Sequence, residues 1–497
     1  MKKTMKYIKK IKFALSLLPV AGIGLTSCTD WLNIPPPDQM LENEVFATES
    51  GITRNLNGLY LNMANNGLYG QNLTSFTTEL MGQRYPFSAI GAETVSQNAN
   101  VIILSQVANL SFYNNDVRDH FNGIFRDAYV LIRNINNFIA KLEATDGVVT
   151  AQRKDLLLGE AYALRAFLHL DMLRIFGHPP VLDSTGRGIP YRTQPTREWT
   201  DILEVGEVLG LIVDDIEVAL AKLEDDPVLT LGIEMDMDNS ESSFFYNAYR
   251  NRRLNYYAVK ALKMRAYMYA GTEEGTAVAG RIAKELIEDE GFRKAFPWSF
   301  NNSILSDPIC SDEVIFGIHV YNLYDEFIRW FSPANTRPFS ALPTSNGLHR
   351  YMFRRVGSTT EIDNYDRRLA QWLPYNETDW ITAKFRRPAP EASYLYYQPL
   401  IRKSEVYLTA AEVFQDPTYL DEIRINRGKL RLSEEGASYN LQDEILREWM
   451  RDFVSEGQLF YYYKRRAQTS IINYNGAVRT TATYDYMPPL PDTETER

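Results

Sequence analysis

Residues 159–182 read GEAYALRAFLHLDMLRIFGHPPVL and decide the fold class. Together with the turn before them they place Leu157, Ala161, Leu164, Leu168, Met172 and Ile175 three or four residues apart, which puts these side chains on one helical face. Tyr162, Leu173 and Phe176 widen that face. Ala161, Ala163 and Ala166 leave room for a neighbouring helix to approach closely. Gly177 suits a left-handed position just past a helix end, and Pro179 and Pro180 forbid continuation. The reading is a long packing helix with a hard stop, and its expected neighbours are similar helices on either side in sequence.

Asp116 to Leu142 repeats the pattern as a stripe running through Val117, Phe121, Ile124, Ala128 and Ile135. A short linker with Gly147 joins it to the central helix, so the two form a hairpin. Val205 to Leu223 is a third helix, with Val208, Ile212, Ile216 and Ala219 inward. Leu254–Ala270 and Thr276–Glu288 make a second hairpin turning at Gly271, and Phe46 to Asn65 an earlier helix. Hairpins of about 34 residues with small and aromatic crossings are the device of tetratricopeptide repeats. From Gly291 to Gln398 the periodicity fails, apart from a strand-like run Glu313–Ile318. Helices return at Leu400–Phe414, Thr418–Asn426 and Leu441–Glu456. The fold class is all-α: stacked helical hairpins over about 40–290 and 399–470, few short strands, and a loop-rich insertion at about 291–398.

The first 27 residues carry six lysines and no acid, then the apolar run Phe13–Leu25, which is too short to span a bilayer comfortably. It ends in Leu25-Thr26-Ser27-Cys28, the pattern of a bacterial lipobox. The expectation is a signal peptide over 1–27, cleavage before Cys28, lipidation of its sulfur and new amine, and one domain over 28–497. Several acyl chains, each methylene adding about 0.8 kcal/mol on burial, hold a protein firmly on a membrane without a spanning helix. Formal net charge is −10; without residues 1–27 it is −16, from 47 basic and 63 acidic side chains. Phosphate repulsion at that charge argues against nonspecific nucleic-acid binding. With two cysteines, Cys28 and Cys310, no paired C-x-x-C site exists.

Several blocks, in this order, resemble the SusD/RagB family of outer-membrane nutrient-binding lipoproteins. They are Trp31-Leu32 after the lipobox, Asn57-Gly58-Leu59-Tyr60, and Gly159-Glu160-Ala161 through Arg165-Ala166 to Arg174-Ile175-Phe176-Gly177. Tyr257 to Leu262 and Tyr269-Ala270-Gly271 follow, then Ser311-Asp312-Glu313-Val314-Ile315-Phe316. Leu400 to Leu408, Glu456-Gly457-Gln458-Leu459-Phe460 and the Pro-Leu-Pro ending complete the series. The resemblance implies a surface-facing outer-membrane lipoprotein that lids a SusC-like TonB-dependent transporter and passes it oligosaccharides, or in some members peptides. The family's arginine-rich ending after the late Glu-Gly is here replaced by Phe460-Tyr461-Tyr462-Tyr463-Lys464-Arg465-Arg466.

Sugars offer apolar C–H faces to aromatic rings and hydroxyls to amides, carboxylates and arginine. Two stretches hold aromatics among such groups: Asn65–Tyr113, with Tyr69, Phe76, Arg84, Tyr85 and Phe87, and Tyr321–Trp380, with Tyr324, Trp330, Phe331, Arg337 and Trp372. The candidate ligand-binding residues are Tyr85, Tyr321, Tyr324, Trp330 and Arg337, where the resemblance also places binding loops. The competing role for each ring is pinning a long loop to the helices. His169 reads as a packing histidine, Cys310 as a buried spectator thiol, and Tyr461–Tyr463 as core or transporter-facing packing. The run 234–241 (EMDMDNSE) alternates oxygen ligands, and Asp236 and Asp238 could hold Ca²⁺; it lacks an EF-hand's glycine and terminal glutamate, so a solvated acidic loop is the simpler reading. No cofactor is implied, and neither HExxH nor G-x-S-x-G occurs. The expected function is non-enzymatic capture of an oligosaccharide. Capture of a peptide or other solute, a protein-only helical scaffold, and a glycan-cleaving carboxylate pair remain open.

Overall fold

The structure is a computed structural model that describes residues 44–85, 99–196, 198–234, 245–299, 306–331, 343–375, 377, 379–389, 392 and 394–496. Cys28, Phe87, Asp236, Asp238 and Arg337 lie outside the described residues. Val45–Arg497 clusters as one unit.

The central helix spans Ala151–Phe176, and the Thr150 hydroxyl caps it by accepting from the Arg153 N–H at 3.3 Å. Every residue from Leu156 to Phe176 except Tyr162 is buried, which requires cover on all sides. Asn115–Glu143 precedes it and Val205–Lys222 follows it, both packed against it. Tyr256–Ala270 and Glu273–Glu288 form the second hairpin, turning at Gly271 with φ of +67°. Gly177 does not adopt the left-handed conformation expected of it: its φ and ψ are −74° and 160°. The glycine is needed for space instead, because a Cβ there would lie 2.8 Å from the Leu173 carbonyl oxygen.

Charges along the central helix are sealed in pairs. Arg165 donates to both Asp215 oxygens on Val205–Lys222, at 2.7 and 2.6 Å. Glu160 accepts from Arg250 at 2.6 Å and from the Tyr60 hydroxyl at 2.9 Å. His169 is a packing residue: its ring stacks on Tyr191 at 4.0 Å, and its Nε2 accepts from the Arg192 N–H at 3.1 Å. Burial lowers its pKa to about 3, so the ring is neutral.

The stretch expected to be irregular has more regular structure than its sequence suggests. Strand Val314–His319 pairs antiparallel with Tyr397–Arg402, with Gly317 opposite Pro399. Leu400–Arg402 therefore belong to a strand, and the helix expected from Leu400 starts at Lys403 and runs to Phe414. Strand pairing across the chain overrides the local helical pattern there. Helices Leu323–Phe331 and Asn346–Phe353 also fall inside the expected loop region. Leu441–Asp452 and Gln458–Arg465 close the body, and Tyr461, Tyr462 and Tyr463 on the latter are buried in its core.

Five bases (Arg368, Lys384, Arg402, Arg427, Arg451) and five acids (Glu313, Asp366, Glu448, Asp452, Glu456) join these parts in one buried network. None of the ten is more than 4% exposed. Burial alone would raise the Glu448 and Asp452 carboxyls, but the arginines around them outweigh it and hold both below the usual range. A depressed carboxylate adds stability above its unfolded pKa of ~4, and that stability is lost as pH falls through the folded value. Asp307, pushed up to about 6 by burial, slopes the other way between ~4 and 6. Urea denaturation at stepped pH is expected to show the unfolding free energy dropping steeply once pH falls below ~4. Asp452→Asn should blunt that drop and cost about 3–5 kcal/mol at neutral pH by stripping Arg368 and Arg427 of a charge partner.

Candidate functional site

The two aromatic stretches singled out in the sequence meet in space. Asn66 donates to Glu326 at 3.1 Å and accepts from Asn322 at 2.9 Å. The rings there serve mainly to join the two loops. Trp330 packs on Phe76 with centroids 4.9 Å apart and donates from Nε1 to Glu326 at 3.0 Å. Tyr85 lies 5.8 Å from the Phe331 ring and donates to the Ser75 carbonyl at 3.3 Å. Tyr324 accepts from the Tyr396 N–H at 2.7 Å. Tyr85, Tyr324 and Trp330 are buried at 1%, 5% and 7% exposure, so as they stand here they are not stacking platforms. The physical reason is cross-loop packing: a large ring gains more by covering its neighbour's than by facing water. Tyr321 differs, at 73% exposure.

A cavity of about 760 Å³ opens beside this seam. Three elements build it: helix Glu49–Met63, the segment Phe245–Arg253, and the end of strand Val314–His319. Helical periodicity sends Ile52, Leu56 and Leu59 into the core and leaves Thr53, Arg54, Asn57 and Leu61 for the cavity wall. Buried Arg250 fixes the second wall by donating to Asp226 at 2.9 and 2.7 Å and to Glu160. With Arg250 anchored, its neighbours Arg252 and Arg253 line the cavity. Tyr249, just before it, has a left-handed φ of 50°.

The lining is aromatic with cations laid across it. The Arg253 guanidinium sits 4.0 Å from the Phe245 centroid and donates to Asn57 Oδ1 at 2.7 Å. Arg252 lies 5.1 Å from the Tyr249 centroid and 3.5 Å from His319 Nδ1. Burial first, then the charge of Arg252, lowers the His319 pKa. Beyond His319 the rings continue with Tyr396 at 5.2 Å, then the buried Tyr324 a further 4.8 Å on. The sequence held this signal in Phe245-Tyr246 and Tyr249-Arg250-Asn251-Arg252-Arg253, rings beside Asn and Arg, the same criterion that pointed to the loops.

Other chemistry is sparse. Among the described residues no group of three or more His, Cys, Asp or Glu is placed to hold a metal ion. Cys310 is buried, and burial pushes its thiol up to about 12. The cavity can stack, hydrogen-bond and hold charge.

Residues 30–231 match the SusD-like family model described as "Starch-binding associating with outer membrane". Solved structures of similar fold include a SusD superfamily protein from Bacteroides fragilis: 17% identity, 91% of this chain and 98% of that chain covered, TM-score 0.63. The chain is thus similar to the SusD-like family in sequence over residues 30–231 and to SusD superfamily proteins in fold. A second SusD superfamily protein, from Bacteroides thetaiotaomicron, is 18% identical over 90% of this chain and 98% of that chain, with a TM-score of 0.64. A SusD-like carbohydrate binding protein from Bacteroides vulgatus is also 18% identical, over 90% and 96%, at 0.62. No curated protein matches the chain by sequence. SusD-like proteins are binding proteins, not enzymes.

The division between packing rings and exposed rings in this SusD-like chain is measurable by thermal denaturation. Trp330→Ala is expected to lower stability by about 3–5 kcal/mol, as core aromatic truncations do. Tyr321→Ala should stay within about 0.5 kcal/mol of the parent.

Proposed function

We propose that this SusD-like protein is a lipid-anchored, cell-surface binding protein of the outer membrane. It captures an oligosaccharide in the cavity between Glu49–Met63 and Phe245–Arg253 and delivers it to a SusC-like TonB-dependent transporter. The observation that carries the reading is the wall itself: the half-buried rings of Phe245 and Tyr249 beside Asn57 and three arginines, in a space large enough for several sugar rings. Aromatic rings take the apolar sugar faces while amide and guanidinium groups take the hydroxyls. Tyr321, exposed and two residues past His319, would extend the ring-lined path outward.

The anchor reading rests on the lipobox ending in Cys28. It is compatible with the described helices, none of which is long and apolar enough to cross a membrane. Transfer to a transporter is supported by the resemblance to SusD-like proteins and by the need to move a bulky polar solute across the outer membrane.

Isothermal titration of the protein against a panel of oligosaccharides and peptides tests the capture step. A saccharide from the panel should bind, and Phe245→Ala should weaken it by about tenfold, which is ~1.4 kcal/mol. Affinity unchanged by that substitution would move the site elsewhere, and binding of peptides alone would replace the carbohydrate reading.

A further inference from the structure

The chain is acidic, with a formal net charge of −10, yet the cavity wall has the opposite sign. Among the described residues, Arg54, Arg252 and Arg253 line it against one carboxylate, Glu49. Glu49 is itself held by Arg153 at 2.6 Å, and that guanidinium lies 4.6 Å from the Tyr246 centroid. Arg253 shares its charge with Glu160 at 3.3 Å, but Glu160 also serves Arg250 at 2.6 Å. Arg54 stands on the exposed side of its helix with no carboxylate within 4 Å among the described residues. The lowered pKa of His319, caused by burial and then by Arg252, is consistent with a positive field along the wall.

A neutral sugar makes poor use of such a wall, because guanidinium groups must shed water and receive only hydroxyls in return. A carboxylate or sulfate matches the fork of the guanidinium and forms charge-assisted, bidentate hydrogen bonds. A basic cleft in an acidic protein also focuses field lines and draws anions toward it. We propose that the captured saccharide is anionic: its apolar face lies on Phe245 and Tyr249, and its acid group is held by Arg54. This rests on the capture reading of the same cavity.

Four probes separate the sources of the charge: oligogalacturonides, the same oligosaccharides carboxyl-reduced to neutral sugars, chondroitin sulfate oligosaccharides, and their desulfated form. A neutral oligosaccharide panel is titrated alongside. At least one anionic probe should bind about tenfold more tightly than its neutralised counterpart and lose affinity as salt is raised. The pair that shows the difference names the carboxylate or the sulfate. Arg54→Gln, at an exposed position, should weaken that probe about fivefold and leave the melting temperature unchanged. Equal affinity for the charged and neutralised forms, or binding of the neutral panel alone, overturns the proposal and leaves carbohydrate capture standing. No saccharide binding at all overturns both.

Discussion

Asp452, at the end of Leu441–Asp452, takes hydrogen bonds from Arg368 at 2.8 Å and from Arg427 at 3.0 Å, sealed from water. Arg427 reaches on to Glu313 at the start of the long strand, with contacts of 2.9 and 2.6 Å. Lys384 bridges the Asp452 carbonyl and Glu456, and Arg402 holds Glu456 from the partner strand at 2.8 Å. Each of these contacts joins residues distant in sequence, and bases and acids balance five to five. Such a network gains little over a well-packed apolar core, but it tolerates no missing partner. It therefore fixes how the loop-rich half sits on the helices, since any other docking would bury an unpaired charge.

The same logic shapes the cavity on a smaller scale. Arg250 is buried against Glu160 and Asp226, and Tyr60 closes over Glu160. That knot holds the segment Phe245–Arg253 against the first helix and the central helix at once. Arg252 and Arg253 follow directly and line the opening. A binding wall made of rings and long cationic side chains needs a rigid backbone beneath it, or the ordering cost on binding would consume the gain. Here the backbone is tied by a buried salt bridge two residues away.

Much of the helical body was legible because its helices carry a 3.6-residue apolar stripe, and the bounds of Asn115–Glu143 and Val205–Lys222 follow that stripe closely. The family-like blocks were legible too, but their meaning was not. Glu313, Arg402 and Glu456, each inside one of them, are members of the buried network, and Glu160 belongs to the knot behind the cavity. In this chain those blocks build the frame rather than the ligand site. The rings misled for a related reason: nothing local tells Trp330 that Phe76 will cover it, whereas Tyr321 on the same stretch is left in water. Leu400–Arg402 read as helix because a strand buried on both faces has no alternation to show.

Hydrogen–deuterium exchange of the protein with and without a saturating oligosaccharide tests the central claim, a fixed frame with one capture wall. Slower exchange confined to Glu49–Leu61 and Phe245–Arg253, with Leu441–Asp452 equally protected in both states, is the result this account requires. Protection centred instead on the groove lined by Met268, Glu412 and Arg466, with the cavity segments unchanged, would contradict it.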